Sequence, residues 1–148
     1  MSRFDRVIVA DWSAASAPSP ARPSADAIWI GVAGAMGEST TYHRTRAEAE
    51  TTLRALIDTE RQAGRRLLIG FDFPLGYPAG FAARLTGTPH ARAVWQWLAG
   101  QITDGPDNAN NRFEVAAAWN RDYFSDGARF WGRPQNLVLD DLTETKPA

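Results

Sequence analysis

Cysteine is absent from the 148 residues, which excludes a disulfide framework, a thiolate nucleophile and a cysteine-bound zinc. Histidine occurs only twice, too few for a His-rich metal site. No apolar run approaches the ~20 residues that a membrane span needs. The opening MSRFDRVIVADWS lacks the apolar core and cleavage site of a secretory signal, so the expected setting is cytoplasmic, with no membrane partner. An excess of either charge is missing too. Sixteen Lys+Arg face seventeen Asp+Glu, for a net charge of -1, which does not support nucleic-acid binding by bulk electrostatics. What is abundant is apolar: 44% hydrophobic residues against 22% charged, with six Trp, seven Phe and three Tyr, enough to exclude general disorder and to build a core. The length suits a single domain, read here as residues 1–142 with a polar tail over 143–148.

Residues 4–10 (FDRVIVA) are a short apolar run rich in β-branched side chains, which predicts a strand covered on both faces. It ends at Asp11-Trp12-Ser13. Residues 14–27 carry Pro18, Pro20 and Pro23 among small side chains and read as a mobile loop, either a lid or a surface insertion. Residues 28–33 (IWIGVA) and 39–44 (STTYHR) are the second and third strands of an antiparallel meander, because their connections leave no room for a crossover helix. Thr45 and Glu48 match a capping box that opens a helix to about Ala63, with Ala49, Leu53, Leu56 and Ile57 as its apolar stripe. Residues 66–71 (RLLIGF) form a fourth strand, stopped by Asp72-Phe73-Pro74. Beyond it, helices are predicted from Thr88-Pro89, with Val94, Trp95, Leu98 and Ile102 inward, and from the pair Asn111/Glu114 to about Phe124; residues 137–139 are a last short strand.

A helical crossover from the third strand places the fourth parallel to the first. Asp11 and Asp72 each follow such a strand directly, so both fall at one carboxyl-end rim, where open sheets bind ligands. Two carboxylates about 5 Å apart repel by about 3 kcal/mol at an effective dielectric of about 20. A bound Mg²⁺ or Mn²⁺, a shared proton or a nearby arginine each relieves that repulsion. Separate hydrogen bonds to turn N–H groups are the plainer alternative.

These residues carry a resemblance. With Asp11 in a D-W-S-A turn and Asp72 in G-F-D-F-P-L-G-Y-P, the segment over residues 4–78 resembles the ribonuclease H-like fold, and in particular an uncharacterised ribonuclease H-like family with a D-x-P-L-G turn after the fourth strand. The resemblance implies an α/β fold: a mixed sheet of a three-stranded antiparallel meander, a crossover helix and a parallel fourth strand, with C-terminal helices. It implies that Asp11 and Asp72 hold Mg²⁺ or Mn²⁺ for phosphoryl transfer or hydrolysis of a phosphoester or small-molecule substrate. A helix glutamate supplies a further ligand in such nucleases, here Glu48 or Glu50; for Glu48 the cap is the competing role. Two departures count against full nuclease chemistry. A late acidic helix is missing after Asp140 and Asp141, as in a piece of a longer protein or a divergent module. The D-W-S-A turn also lacks the phosphate-binding glycine of ATP-binding relatives. The alternative is a noncatalytic ligand-binding or interaction domain, able to form a homodimer; related sequences carry molybdopterin or cobalamin cofactor-biosynthesis labels.

Three further side chains are candidates for substrate contact. Ser13, two residues past Asp11, either touches a phosphate or caps its turn. Arg112 stands at a helix start, where the macrodipole disfavours a cation, and either reaches an acidic ligand or is simply solvated. Asn120 sits in the row Phe113, Ala117, Asn120 and Phe124, so it ties a loop or meets a ligand. His90 and His43 have no orienting partner legible in the sequence and read as surface residues. Trp95 and Trp97 cannot share one helix face, so one of them is exposed.

Overall fold

The computed structural model describes residues 3–147, which divide into two compact units. The first runs to Leu75 and adds Gly105–Ala109; the second comprises Gly76–Asp104 and the chain from Asn110 onward.

The first unit is an α/β structure. Strands β1 (Arg6–Asp11), β2 (Ile28–Gly34) and β3 (Ser39–His43) form the expected meander, helix α1 (Arg46–Gln62) follows, and β4 (Leu67–Phe71) returns beside β1. The order is β3-β2-β1-β4, with β1–β2 and β2–β3 antiparallel and β1–β4 parallel. β1 is therefore interior. Alternation decides which side chains meet the helix. Ile8, Ala10, Ile28, Ile30 and Val32 are buried with Ala49 and Leu53 of α1, while Leu56, Leu67, Ile69 and Phe71 pack around them. The capping box forms as its spacing predicts: the Thr45 hydroxyl accepts from the Glu48 N–H at 3.2 Å, and Glu48 accepts from the Thr45 N–H at 3.3 Å.

The expectation that β1 is covered on both faces is not met. Val9 is 53% exposed and Leu68 is 45% exposed, so the outer face of the sheet is open. A meander needs only one covered face, and α1 supplies it. Residues 12–27 are tied down rather than loose. The carbonyls of Ser13 and Ala15 accept from Arg46, that of Ala17 from Asn108, that of Ser19 from Arg44, that of Pro20 from Tyr42 and that of Ser24 from Trp29. The stretch forms no strand or helix of its own, and side chains elsewhere in the unit satisfy these carbonyls instead.

The second unit is helical, with α2 (Phe81–Thr86), α3 (Ala91–Gln101) and α4 (Arg112–Tyr123) around a core of Ala82, Leu85, Val94, Trp119 and Phe124. Helix α2 was not legible in the sequence: it has six residues, and left-handed glycines, Gly80 and Gly87, bound it. Helix α3 starts at Ala91, not at Pro89, and His90 at its N-cap makes no side-chain cap bond. Trp97 packs inward against Trp119 and Tyr123 at 5.3 and 5.5 Å, whereas Trp95 is 37% exposed, which reverses their expected roles. The Asn111/Glu114 cap does not form, because the Asn111 side chain bridges the Thr103 N–H and the Gln101 carbonyl. Residues 137–139 form no strand: the Leu137 N–H bonds Pro134, and Arg133 donates to the Leu137 and Leu142 carbonyls. In the tail, Thr143 accepts from the Gly132 N–H at 2.8 Å, and Ala148 lies outside the described residues. No helix among the described residues is long and apolar enough to cross a membrane.

Candidate functional site

Asp11 closes β1, and Asp72 follows β4 by one residue. The parallel register pairs Ala10 with Phe71, so the next residue along each strand is an aspartate. Adjacent parallel strands thus bring the two carboxylates to one rim, as the topology predicts. The Trp12 N–H donates to Asp72 Oδ1 at 2.9 Å and orients that carboxylate, leaving its second oxygen for another partner. Trp12 is itself held by edge contacts to Phe71 and Phe73, both at 6.4 Å between ring centroids.

Both aspartates are exposed. Even so, lost hydration at the sheet rim raises the Asp11 pKa above the usual 3.8, and Asp72 raises it further, through a hydrogen bond between the two carboxyls and by like-charge repulsion. Among the described residues neither aspartate has an ion pair. No arginine among the described residues therefore relieves the repulsion, and the Trp12 N–H bond to Asp72 is the turn hydrogen bond of the plainer alternative; a shared proton and a bound cation are the other two ways.

The other expected ligands go elsewhere. Glu48 accepts from the Arg44 N–H at 2.8 Å as well as from Thr45, so its carboxylate belongs to the helix start. Glu50 pairs with Arg54 one turn along α1 at 2.6 Å. Among the described residues no three His, Cys, Asp or Glu side chains converge in a way that could hold a metal. Ser13 Oγ accepts from the Ala15 N–H at 3.3 Å, which is the turn-capping alternative.

The structure adds two residues the sequence did not single out. Arg46 is only 9% exposed, and its guanidinium donates to Ser13 O at 3.0 Å, Ala15 O at 2.7 Å and Asn108 O at 2.6 Å. It thereby shapes the backbone immediately past Asp11. One signal was available: a cation in the first turn of a helix opposes the macrodipole, so its presence there asks for another role. Asn108 accepts from the Arg46 N–H at 2.8 Å and donates to the Ala17 and Arg44 carbonyls, each at 3.2 Å.

Arg112 and Asn120 belong to the second unit. Asn120 donates to the Phe130 and Asp141 carbonyls and accepts from the Arg129 and Phe130 N–H groups, so an amide with two donors and two acceptor lone pairs has none left. Of its two expected roles this is the loop-tying one, anchoring the chain beyond α4 and leaving no bond for a substrate contact. Arg112 donates to Asn110 Oδ1 at 2.9 Å and lies 4.2 Å from the Phe113 ring centroid. His90 is exposed, while His43 is buried with its Nε2 3.0 Å from Thr41 Oγ1, contrary to the expected surface position. No protein-family model, no curated protein and no solved structure matches this chain, so the pairing of Asp11 with Asp72 stands on its geometry alone.

Proposed function

We propose that the first unit is a metal-dependent phosphoryl-transfer or hydrolytic domain of ribonuclease H-like type, in which Asp11 and Asp72 hold Mg²⁺ or Mn²⁺. The observation that carries this is the meeting of two carboxylates at the ends of neighbouring parallel strands, where Asp72 helps to raise the Asp11 pKa and no ion pair with either is found among the described residues. The donor set fits a small hard ion. Mg²⁺ keeps several waters and takes one or two carboxylates together with substrate phosphate oxygens, so two aspartates are sufficient. Such an ion polarises a phosphoryl oxygen and makes bound water a better nucleophile. The chain's own contributions are positional. The Trp12 N–H fixes the Asp72 carboxylate, the Trp12–Phe71–Phe73 contacts fix Trp12, and Arg46 holds the turn that leaves Asp11. Because Asp11 holds its proton more tightly than an ordinary aspartate, cation binding weakens as pH falls toward the carboxylate range.

Calorimetric titration of the full chain with MnCl₂ tests the proposal. Saturable binding in wild type that Asp72→Asn weakens by at least tenfold is the expected result. Wild-type protein that shows no saturable Mn²⁺ or Mg²⁺ binding into the millimolar range removes the basis of the proposal. A folded but metal-free outcome favours a second reading, a noncatalytic ligand-binding or interaction domain. The open outer sheet face with its exposed Val9 and Leu68 is the observation behind that reading.

A further inference from the structure

Strand β4 is an edge of the sheet, because among the described residues it pairs with β1 alone. The Arg66 carbonyl accepts from the Asp5 and Arg6 N–H groups and so faces β1. Backbone groups alternate along a strand, so Leu67, Ile69 and Phe71 turn their N–H and C=O groups to the other side. Among the described residues nothing bonds those groups. Natural edge strands are blunted by a charge, a proline or a bulge, since unpaired ladder groups invite another chain. The opposite edge, β3 (STTYH), is polar. β4 (LLIGF) has neither charge nor proline, and none of its five residues is buried.

The segment Arg66-Leu67-Leu68-Ile69-Gly70-Phe71-Asp72 is complementary to its own reverse. Set antiparallel to a second copy with Ile69 opposite Ile69, Leu67 meets the partner's Phe71, Leu68 the partner's Gly70 and Arg66 the partner's Asp72. Leu67, Ile69 and Phe71 pack on the core of the unit and are only half-buried, so cross-strand pairing completes their burial. On the outer face Leu68 is exposed, and a side chain added at Gly70 meets nothing within 4 Å, which leaves room for Leu68 to lie across it. At each end the exposed Arg66, which also holds Asp5 at 3.2 Å, stands opposite an exposed Asp72. Centring on Leu68 sets Arg66 against Gly70, and centring on Gly70 sets Leu68 against Asp72. Parallel pairing in register sets like charges against each other at both ends.

We propose that β4 pairs antiparallel with β4 of a second copy of this chain, centred on Ile69, and joins the two four-stranded sheets into one across a twofold axis. The pairing does not depend on a cation at Asp11 and Asp72.

Sedimentation equilibrium of the full chain in buffer containing EDTA, from about 1 to about 200 µM, and amide exchange followed by NMR test the proposal. The mass is expected to rise with concentration from 16.2 kDa toward twice that value. A dissociation constant on the order of 10 µM is expected, because one short strand pair is smaller than a standard interface. The Leu67, Ile69 and Phe71 amides are expected to exchange more slowly as the dimer forms. Leu68→Lys alters an exposed side chain and blunts the edge, and is expected to weaken the dimer at least tenfold in a folded protein. Arg66→Glu and Asp72→Lys are each expected to be monomeric alone and to form a heterodimer when mixed, which restores opposite charges at both ends. Should Arg66→Glu fail to fold for want of its bond to Asp5, Leu68→Lys and the exchange of the three amides decide. A monomer at every concentration, a dimer that leaves those amides unprotected, undiminished dimerisation of Leu68→Lys, or no heterodimer from two folded charge variants overturns the proposal.

Discussion

Asn108 is 1% exposed and takes a left-handed backbone conformation at φ 71°, unusual outside glycine. Asparagine tolerates that conformation, and its amide faces donors and acceptors that lie 62 to 91 residues away in sequence. Replacing it with glycine keeps the backbone relaxed and isolates the loss of the side-chain bonds. Asn108→Gly is expected to destabilise the protein by about 2–3 kcal/mol, read as a lower urea midpoint at unchanged slope. Nothing in the polar stretch DGPDNANN marks the fifth residue as buried, because burial here depends on Arg46 and on the chain past Asp11. Asn120 was easier to find. It interrupts an apolar helical row, and a buried amide in such a row must have partners nearby.

At the scale of elements, local chemistry explains the first unit well. The Thr45/Glu48 capping box sets the start of α1, and its loss should be measurable. Thr45→Ala is expected to cost about 1 kcal/mol in chemical denaturation, since the Glu48 N–H loses its acceptor and Thr45 is itself buried. Strands β1, β2 and β4 were legible as apolar runs, and β3 as the polar one, because alternation is a local property. The second unit was harder. A six-residue helix between two glycines carries no measurable periodicity, and the Leu137–Leu139 run looks like a strand only until strand partners are sought. Asn111 had the right spacing for a cap, but the Thr103 N–H and the Gln101 carbonyl compete for the same amide.

Across the whole molecule, acid stability sums charges of opposite effect. Hydrogen bonds from Arg66, Arg65 and Arg84 lower the pKa values of Asp5, Glu60 and Asp126. A carboxyl with a lowered folded-state pKa contributes stability that is complete above its unfolded value and is lost as pH falls through the folded one. Glu60 leads this group, because it is 4% exposed and also faces Arg6 at 3.6 Å. Asp11 has the opposite sign: its raised pKa makes ionisation in the folded state unfavourable, so that cost is present above the folded-state value. Urea midpoints measured from about pH 7 to about pH 3 are expected to fall in wild type as pH drops below the ordinary glutamate value of 4.5. Asp11→Asn is expected to be more stable than wild type at neutral pH, an advantage that disappears below 3.8, where the unfolded aspartate is also protonated.

The amino-acid order alone determined the meander, the capped crossover helix and the parallel return of the fourth strand, and with them the meeting of Asp11 and Asp72. Those outcomes follow from alternation, capping and chain connectivity, all of which act over short spans or restrict topology. The tertiary structure alone decided that the outer face of the sheet stays open and that the proline-rich stretch is tied through Arg46 and Asn108. It also decided that Glu48 and Glu50 turn to backbone and arginine partners, and that the Trp119 N–H finds no acceptor among the described residues. Each of these depends on which polar groups lie within hydrogen-bond reach of one another. That is a matter of packing between distant segments, and no local pattern of residues encodes it.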